Sequence, residues 1–201
     1  MPSIPLTCWP NVDFTPEASY RYWKLNSVPI LAVSYDTNNL RRYWRAASLF
    51  IGFSAVDIGC GEAVLGELLR MVRNVGGMDP TYMGIDFVGN KATLIHDCTS
   101  PLPFEADLFD TGYALDFLEH IHDPERVLRE LARVTKHRIV ISTPQHDKIP
   151  KANHLWNFTL DEIESLMKSV GELGGIEEIA NINWIAWSNK QPSDCPSKRV
   201  R

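Results

Sequence analysis

An α/β fold with a doubly wound, mostly parallel sheet and helices on both faces is what this sequence predicts, on three observations. Residues 54–74 read as a buried strand, a glycine turn and a helix. Ser54-Ala55-Val56 runs into Ile58, Gly59 and Gly61 flank Cys60, and Leu65, Leu68, Leu69 and Val72 follow at helical spacing. A second apolar run, Tyr82 to Ile85, closes on an acid, Asp86. Further on, Asp123 to Lys136 has the pattern of a capped helix and leads into the apolar run Ile139-Val140-Ile141. Strands that alternate with helices build a parallel sheet covered on both sides.

The glycine turn marks the ligand end. Gly59 permits a tight turn after the strand, and Gly61 lets a ligand approach the backbone without meeting a side chain. Ala63 is small enough for close contact between helix and strand. Asp57 is an acid within an otherwise apolar strand end, and a carboxylate at Asp86 can accept both hydroxyls of a ribose. Asp97 stands on a loop ahead of Leu102-Pro103-Phe104, and Asp116-Phe117-Leu118-Glu119-His120 follows the fourth strand.

Taken in this order, residues 55 to about 170 resemble a class I S-adenosylmethionine-dependent methyltransferase. The last segment resembles the D-x-L-E-H stretch of that family's small-molecule branch. The resemblance implies a Rossmann-like domain with S-adenosylmethionine as cofactor and a small-molecule acceptor. It implies a first binding segment of Asp57, Gly59, Cys60 and Gly61, the glycines lining the methionine part. Asp86 would hold the ribose, Phe87 one face of the adenine, and Asp97 with Cys98 its edge. Leu115 and Asp116 would face the sulfonium and the acceptor. For Asp97 the competing reading is a loop acid that caps local amides.

Each element has its own local reason. Residues 1–13 hold three prolines and no period, and read as an irregular arm. Thr15-Pro16 is a helix start, and a second helix should run from Asn38 or Asn39 to Phe50. Residues 1–53 thus form an N-terminal arm and helices that either cover one end of the sheet or lid the acceptor pocket. Arg41, Arg42 and Arg45 read as a solvated helix face rather than an anion site. The five residues Phe87–Lys91 are too few for a crossover helix, so the third strand should be a stub or an extended loop. Residues 110–115 form the fourth strand and Arg138–Ser142 the fifth. Between them Asp123 caps a helix that buries Val127, Leu128, Leu131 and Val134.

Residues 145–158 make a polar loop of the kind that carries function. Thr159 and Glu162 have capping-box spacing for a helix to Val170, broken by Gly171, Gly174 and Gly175. Residues 176–187 offer one or two strands, with apolar material short for both, so the sheet should be abbreviated there. The domain proper spans 54–190, and 191–201 is a polar tail expected to be disordered.

Composition excludes several classes. The 201 residues carry a net charge of −5, which argues against a broad nucleic-acid face. No apolar run reaches the roughly 20 residues needed to span a bilayer, and no signal peptide is evident. Cys8, Cys60, Cys98 and Cys195 lack metal-type spacing and read as free thiols of a cytoplasmic protein. No metal set is apparent. His154, which precedes Trp156 and Phe158, ranks first as a general base, then His120, with Asp116 beside them; His122 and His146 are further candidates. The competing role for the histidines is to order their loop. The run Ala114-Leu115-Asp116-Phe117 is unlike the proline-rich run of amino-methylating relatives on adenine or glutamine, and the turn lacks a dehydrogenase's three-glycine spacing. Two functions remain: methyl transfer to an oxygen or nitrogen of a small molecule, or a silent binding module on the same fold. Oligomeric state is not legible.

Overall fold

The computed structural model describes residues 37–74, 81–87, 91–145 and 154–190. The expected N-terminal arm, the helix expected from Thr15 and the C-terminal tail lie outside the described residues. So does His146.

Seven strands form one sheet in the order β3-β2-β1-β4-β5-β7-β6. They are β1 (Ser54–Ile58), β2 (Thr81–Asp86), β3 (Leu94–Ile95), β4 (Phe109–Leu115), β5 (Thr135–Pro144), β6 (Glu172–Ile179) and β7 (Asn183–Asn189). The first five run parallel, and β7 is antiparallel to both β5 and β6. Sequence order reverses between β1 and β4, the position at which open sheets of this kind take their ligands.

Among the described residues four α-helices cover the sheet: α1 (Thr37–Ser48), α2 (Val64–Asn74), α3 (Pro124–Val134) and α4 (Leu160–Lys168). Strand alternation sorts the core into two layers. Val140 joins Ala46 and Ala47 of α1, Leu49 just past it, and Leu65 and Leu69 of α2 on one face. Its neighbours Ile139 and Ile141 join Leu128 and Leu131 of α3 and Ile163 of α4 on the other. Residues 37–48 are therefore built into the same core as β1. Arg45 fixes them further, with Nε and Nη2 donating to Glu177 of β6 at 2.7 and 2.6 Å.

Capping follows the sequence. Asp123 accepts from the Arg126 amide at 3.0 Å, with Pro124 opening α3. Thr159 and Glu162 form the reciprocal capping box of α4. The third strand is a two-residue stub that pairs only with Ile85 and Asp86. The expected boundary at Lys136 moves, because α3 stops at Val134 and β5 starts at once at Thr135. The Thr135 hydroxyl donates back to the Leu131 carbonyl at 2.7 Å and closes the helix without a loop.

The C-terminal end corrects one expectation. It is not abbreviated: β6 has eight residues and β7 seven. Ala180 and Asn181, with φ of 55° and 60°, make the tight reversal between them, as a type I′ hairpin requires. Gly174 lies inside β6 rather than breaking a helix, because Trp187 of β7 packs over it. A Cβ there would fall 2.2 Å from Trp187 Nε1. Gly174→Ala is therefore expected to lower stability by about 1–3 kcal/mol in urea denaturation. A loop at this position would tolerate the change.

Candidate cofactor and acceptor site

The bend after β1 is made by hydrogen bonds to β2. Gly59 and Cys60 both donate their amides to the Ile85 carbonyl, at 2.8 and 3.1 Å. Gly59 and Gly61 take φ of 68° and 51°, the left-handed region that a side chain disfavours. The two glycines differ in surroundings. A Cβ at Gly59 would fall 2.2 Å from the Phe117 ring, whereas one at Gly61 would meet nothing within 4 Å. Gly59 is thus needed for packing as well as for the turn, and Gly61 presents open backbone to the ligand side. Its amide donates to Asp86 Oδ2 at 2.9 Å, which brings the second-strand acid onto the turn.

Asp57 is 2% exposed. Its Oδ2 accepts from the Tyr82 hydroxyl at 2.6 Å, while Oδ1 has no partner among the described residues. Burial pushes this carboxyl up to about 7, against the Tyr82 hydrogen bond; Asp86 adds to the rise and Arg42 opposes it. An unsatisfied buried acceptor here fits a cationic donor such as a ligand ammonium. Cys60 and Cys98 are buried free thiols, both raised chiefly by burial, Cys98 to about 12. The charges of Asp86, Asp97 and Asp57 all act on the Cys98 thiol, so the three acids gather at one end of the sheet. Asp97 uses Oδ1 to hold both the amide and the hydroxyl of Thr99, at 2.8 and 2.7 Å. Phe87 is half-buried just past β2, and Leu115 is buried at the end of β4. Behind this edge a cleft of about 240 Å³ separates the loop at Cys98–Pro101 from α3. Its arginines are matched by acids: Arg126 with Asp123, Arg129 with Glu125, and Arg133 with Glu130.

A second group of polar side chains closes the end of β4. Asp116 sits at φ 48°. Its Oδ1 accepts from the Ser142 hydroxyl at 2.7 Å and from Asn183 Nδ2 at 3.0 Å, and Arg42 Nη1 lies 3.1 Å away. Arg42 is 4% exposed, which corrects the expectation of a solvated arginine face; Arg41 alone of the three is exposed. The spacing of Arg42, Ala46 and Leu49 carried the signal, since it puts all three on one helix face.

Glu119 follows in a single 3-10 turn and is 1% exposed, with both carboxyl oxygens unpartnered among the described residues. Burial, reinforced by the Asp116 charge, holds its carboxyl well above the usual range. The Glu119 carbonyl accepts from the Leu155 and Trp156 amides, at 2.8 and 3.3 Å. Trp156 Nε1 donates to the Ile121 carbonyl at 2.7 Å. These bonds pin the segment after the long loop to the turn and set His154 edge-on to His120, with ring centroids 5.0 Å apart. Potential ligand atoms of Glu119, His120 and His154 lie within 4.8 Å of one another, close enough for the three to hold one small group or ion. Burial, aided by His120 and opposed by Asp116, pushes His154 down to about 4, so it is neutral near pH 7. His122 is exposed. Sequence reasoning missed Arg42, Glu119, Ser142, Asn183 and the buried amide of Gln145, whose Nε2 is also unpartnered among the described residues.

A doubly wound sheet with a glycine bend after β1, an acid closing β2 and a polar centre at the end of β4 defines a class I, S-adenosylmethionine-dependent methyltransferase fold. Residues 56–141 match the family model described as "Methyltransferase domain". The ubiquinone biosynthesis O-methyltransferase of Ralstonia nicotianae is 28% identical over 130 residues, which are 60% of this chain and 54% of that protein. The chain thus spans little more than half the length of such curated relatives. Among solved structures, magnesium protoporphyrin IX methyltransferase (ChlM) of Synechocystis with bound S-adenosylmethionine superposes with a TM-score of 0.61 at 15% identity. The match covers 89% of this chain and 98% of that one. The [4+2]-cyclase SpnF superposes with a TM-score of 0.67 at 13% identity, covering 89% and 97%. Likeness at these identities shows the fold alone.

The raised Asp57 carboxyl has a consequence for stability. Below about pH 4 it is protonated in both folded and unfolded chains. Between about pH 4 and pH 7 only the folded chain keeps the proton, so its contribution to stability falls as pH rises through that window. Asp57→Asn removes this slope. The gap between variant and wild-type urea midpoints, measured without ligand, is expected to widen in the variant's favour from pH 4 to pH 7 and then stay level.

Proposed function

We propose that the protein transfers a methyl group from S-adenosylmethionine to an oxygen of a small-molecule acceptor. The observation that carries this reading is the Gly61–Asp86 bond on the bend that follows Asp57 of β1, together with the Glu119, His120 and His154 cluster beyond β4. When bound, the cofactor supplies an activated methyl on a sulfonium. Asp57 Oδ1 would receive the ammonium of its methionine part, and Asp86 the ribose hydroxyls. Phe87 would cover the adenine, and Asp97 and Cys98 would reach its edge, with Leu115 and Asp116 toward the sulfonium.

On the acceptor side, His154 would accept a hydrogen bond from the acceptor hydroxyl and take its proton as the new bond forms, with His120 orienting it. Burial keeps His154 unprotonated near neutral pH, the form that can accept a hydrogen bond from the hydroxyl, while lowering its strength as a base. Asp116 has its Oδ1 committed to Ser142 and Asn183, which suits an orienting charge better than a proton acceptor. An oxygen acceptor is favoured over nitrogen by the O-methyltransferase relatives. Among the described residues no helix is long and apolar enough to cross a membrane, and the buried free thiols suit a cytoplasmic setting. The silent-module reading drew on a sheet shortened at two places, and only the β3 stub remains.

Calorimetry with S-adenosylhomocysteine tests the cofactor half. Tight binding to wild type is expected, lost in Asp86→Ala at an unchanged circular-dichroism spectrum; no binding to folded wild type overturns the reading. Once an acceptor is found by screening hydroxylated small molecules, His154→Asn is expected to lower kcat by about 100-fold or more. An unchanged kcat would remove His154 from the chemistry.

A further inference from the structure

Arg42 lies on α1, outside the residues that match the methyltransferase domain, yet its guanidinium is buried beside the end of β4. A buried cation is tolerated when anions compensate it. Here Nη1 lies 3.1 Å from Asp116 Oδ1 and donates to the Ser142 hydroxyl at 2.9 Å, while Nη2 donates to Asn39 at 3.2 Å. The same Ser142 hydroxyl donates to Asp116, so arginine, serine and aspartate close a ring, with Asn183 holding both carboxylate oxygens from β7. Glu119 and His154 lie within electrostatic reach, the first of both Asp116 and Arg42, the second of Asp116.

Charge balance at this place matters to the reaction proposed above, on which this inference rests. Methyl transfer to a hydroxyl discharges a sulfonium. An uncompensated carboxylate beside it stabilises the charged ground state more than the transition state and so slows transfer. We propose that Arg42 is a positioning residue and counter-ion. It holds the Asp116 carboxylate against β5 and β7 and offsets its charge at the methyl-transfer centre, which makes α1 part of that centre.

S-adenosylmethionine and S-adenosylhomocysteine differ by one methyl and one positive charge at sulfur, so the ratio of their dissociation constants reads the field there. Both are titrated calorimetrically into wild type, Arg42→Met, Arg42→Lys, Arg45→Gln and Asp116→Asn. In R42M the homocysteine-to-methionine ratio of Kd values is expected to rise on the order of tenfold. R42K should keep the ratio within about twofold. R45Q, which loses the anchor of α1 to Glu177 and the Ser48 and Trp187 contacts but nothing at Asp116, should move both affinities together and leave the ratio unchanged. D116N should lower the ratio, and it decides the matter if R42M does not fold. Overturning results are a flat ratio in R42M or D116N, or an equal shift in R45Q, either of which leaves Arg42 a helix anchor. Failure of both ligands to bind folded wild type overturns the functional reading, and this inference with it.

Discussion

Two amide donors, those of Gly59 and Cys60, meet at one carbonyl, that of Ile85, and the ligand end of the molecule depends on that meeting. It folds the chain leaving β1 across the end of β2. The Gly61 amide is thereby turned onto Asp86, and the bend lies against Phe117 from the end of β4. Three strands thus contribute to one small surface, at the position where strand order reverses. The position follows from topology and the chemistry from what the strand ends carry.

What they carry is an unusual density of buried charge. Asp57, Asp86, Glu119 and Arg42 are all buried, and Asp116 is held by three of its neighbours. Burial raises the two acids with unpartnered oxygens, Asp57 and Glu119, and lowers His154. Each shift moves a group toward its neutral form, the expected response to desolvation. The core stabilises the sheet through apolar layers on both faces, and that surplus offsets the cost of burying these polar groups.

The parts of the fold legible in the sequence were those set by local rules. The glycine bend, the Asp123 cap, the Thr159–Glu162 box and the stub at β3 follow from residue types within a few positions of one another. Strand over 176–187 was legible, but the full length and turn of the β6–β7 hairpin were not, because Ala180 and Asn181 do not announce a left-handed turn as Asn-Gly would, and because Gly174 looked like a breaker. At the site, Asp57, Gly61 and Asp86 came from a short segment and its strand neighbour. The Arg42–Asp116 contact joins α1 to the end of β4, and His120 meets His154 through backbone bonds of a loop. Such pairings arise from tertiary placement, for which no local pattern exists.

The direct junction of α3 and β5 also bears on how the site is held together. Val134 ends the helix, Thr135 begins the strand, and the Thr135 hydroxyl is tied back to Leu131. With no connecting residues between them, the change of direction is made by the backbone torsions at Thr135 itself. The helix runs back along the sheet, so Asp123 at its start and Ser142, the Asp116 partner near the end of β5, both stand at the end of the sheet that carries Asp116. The two groups are thereby joined by one short, loop-free run of chain as well as by the sheet.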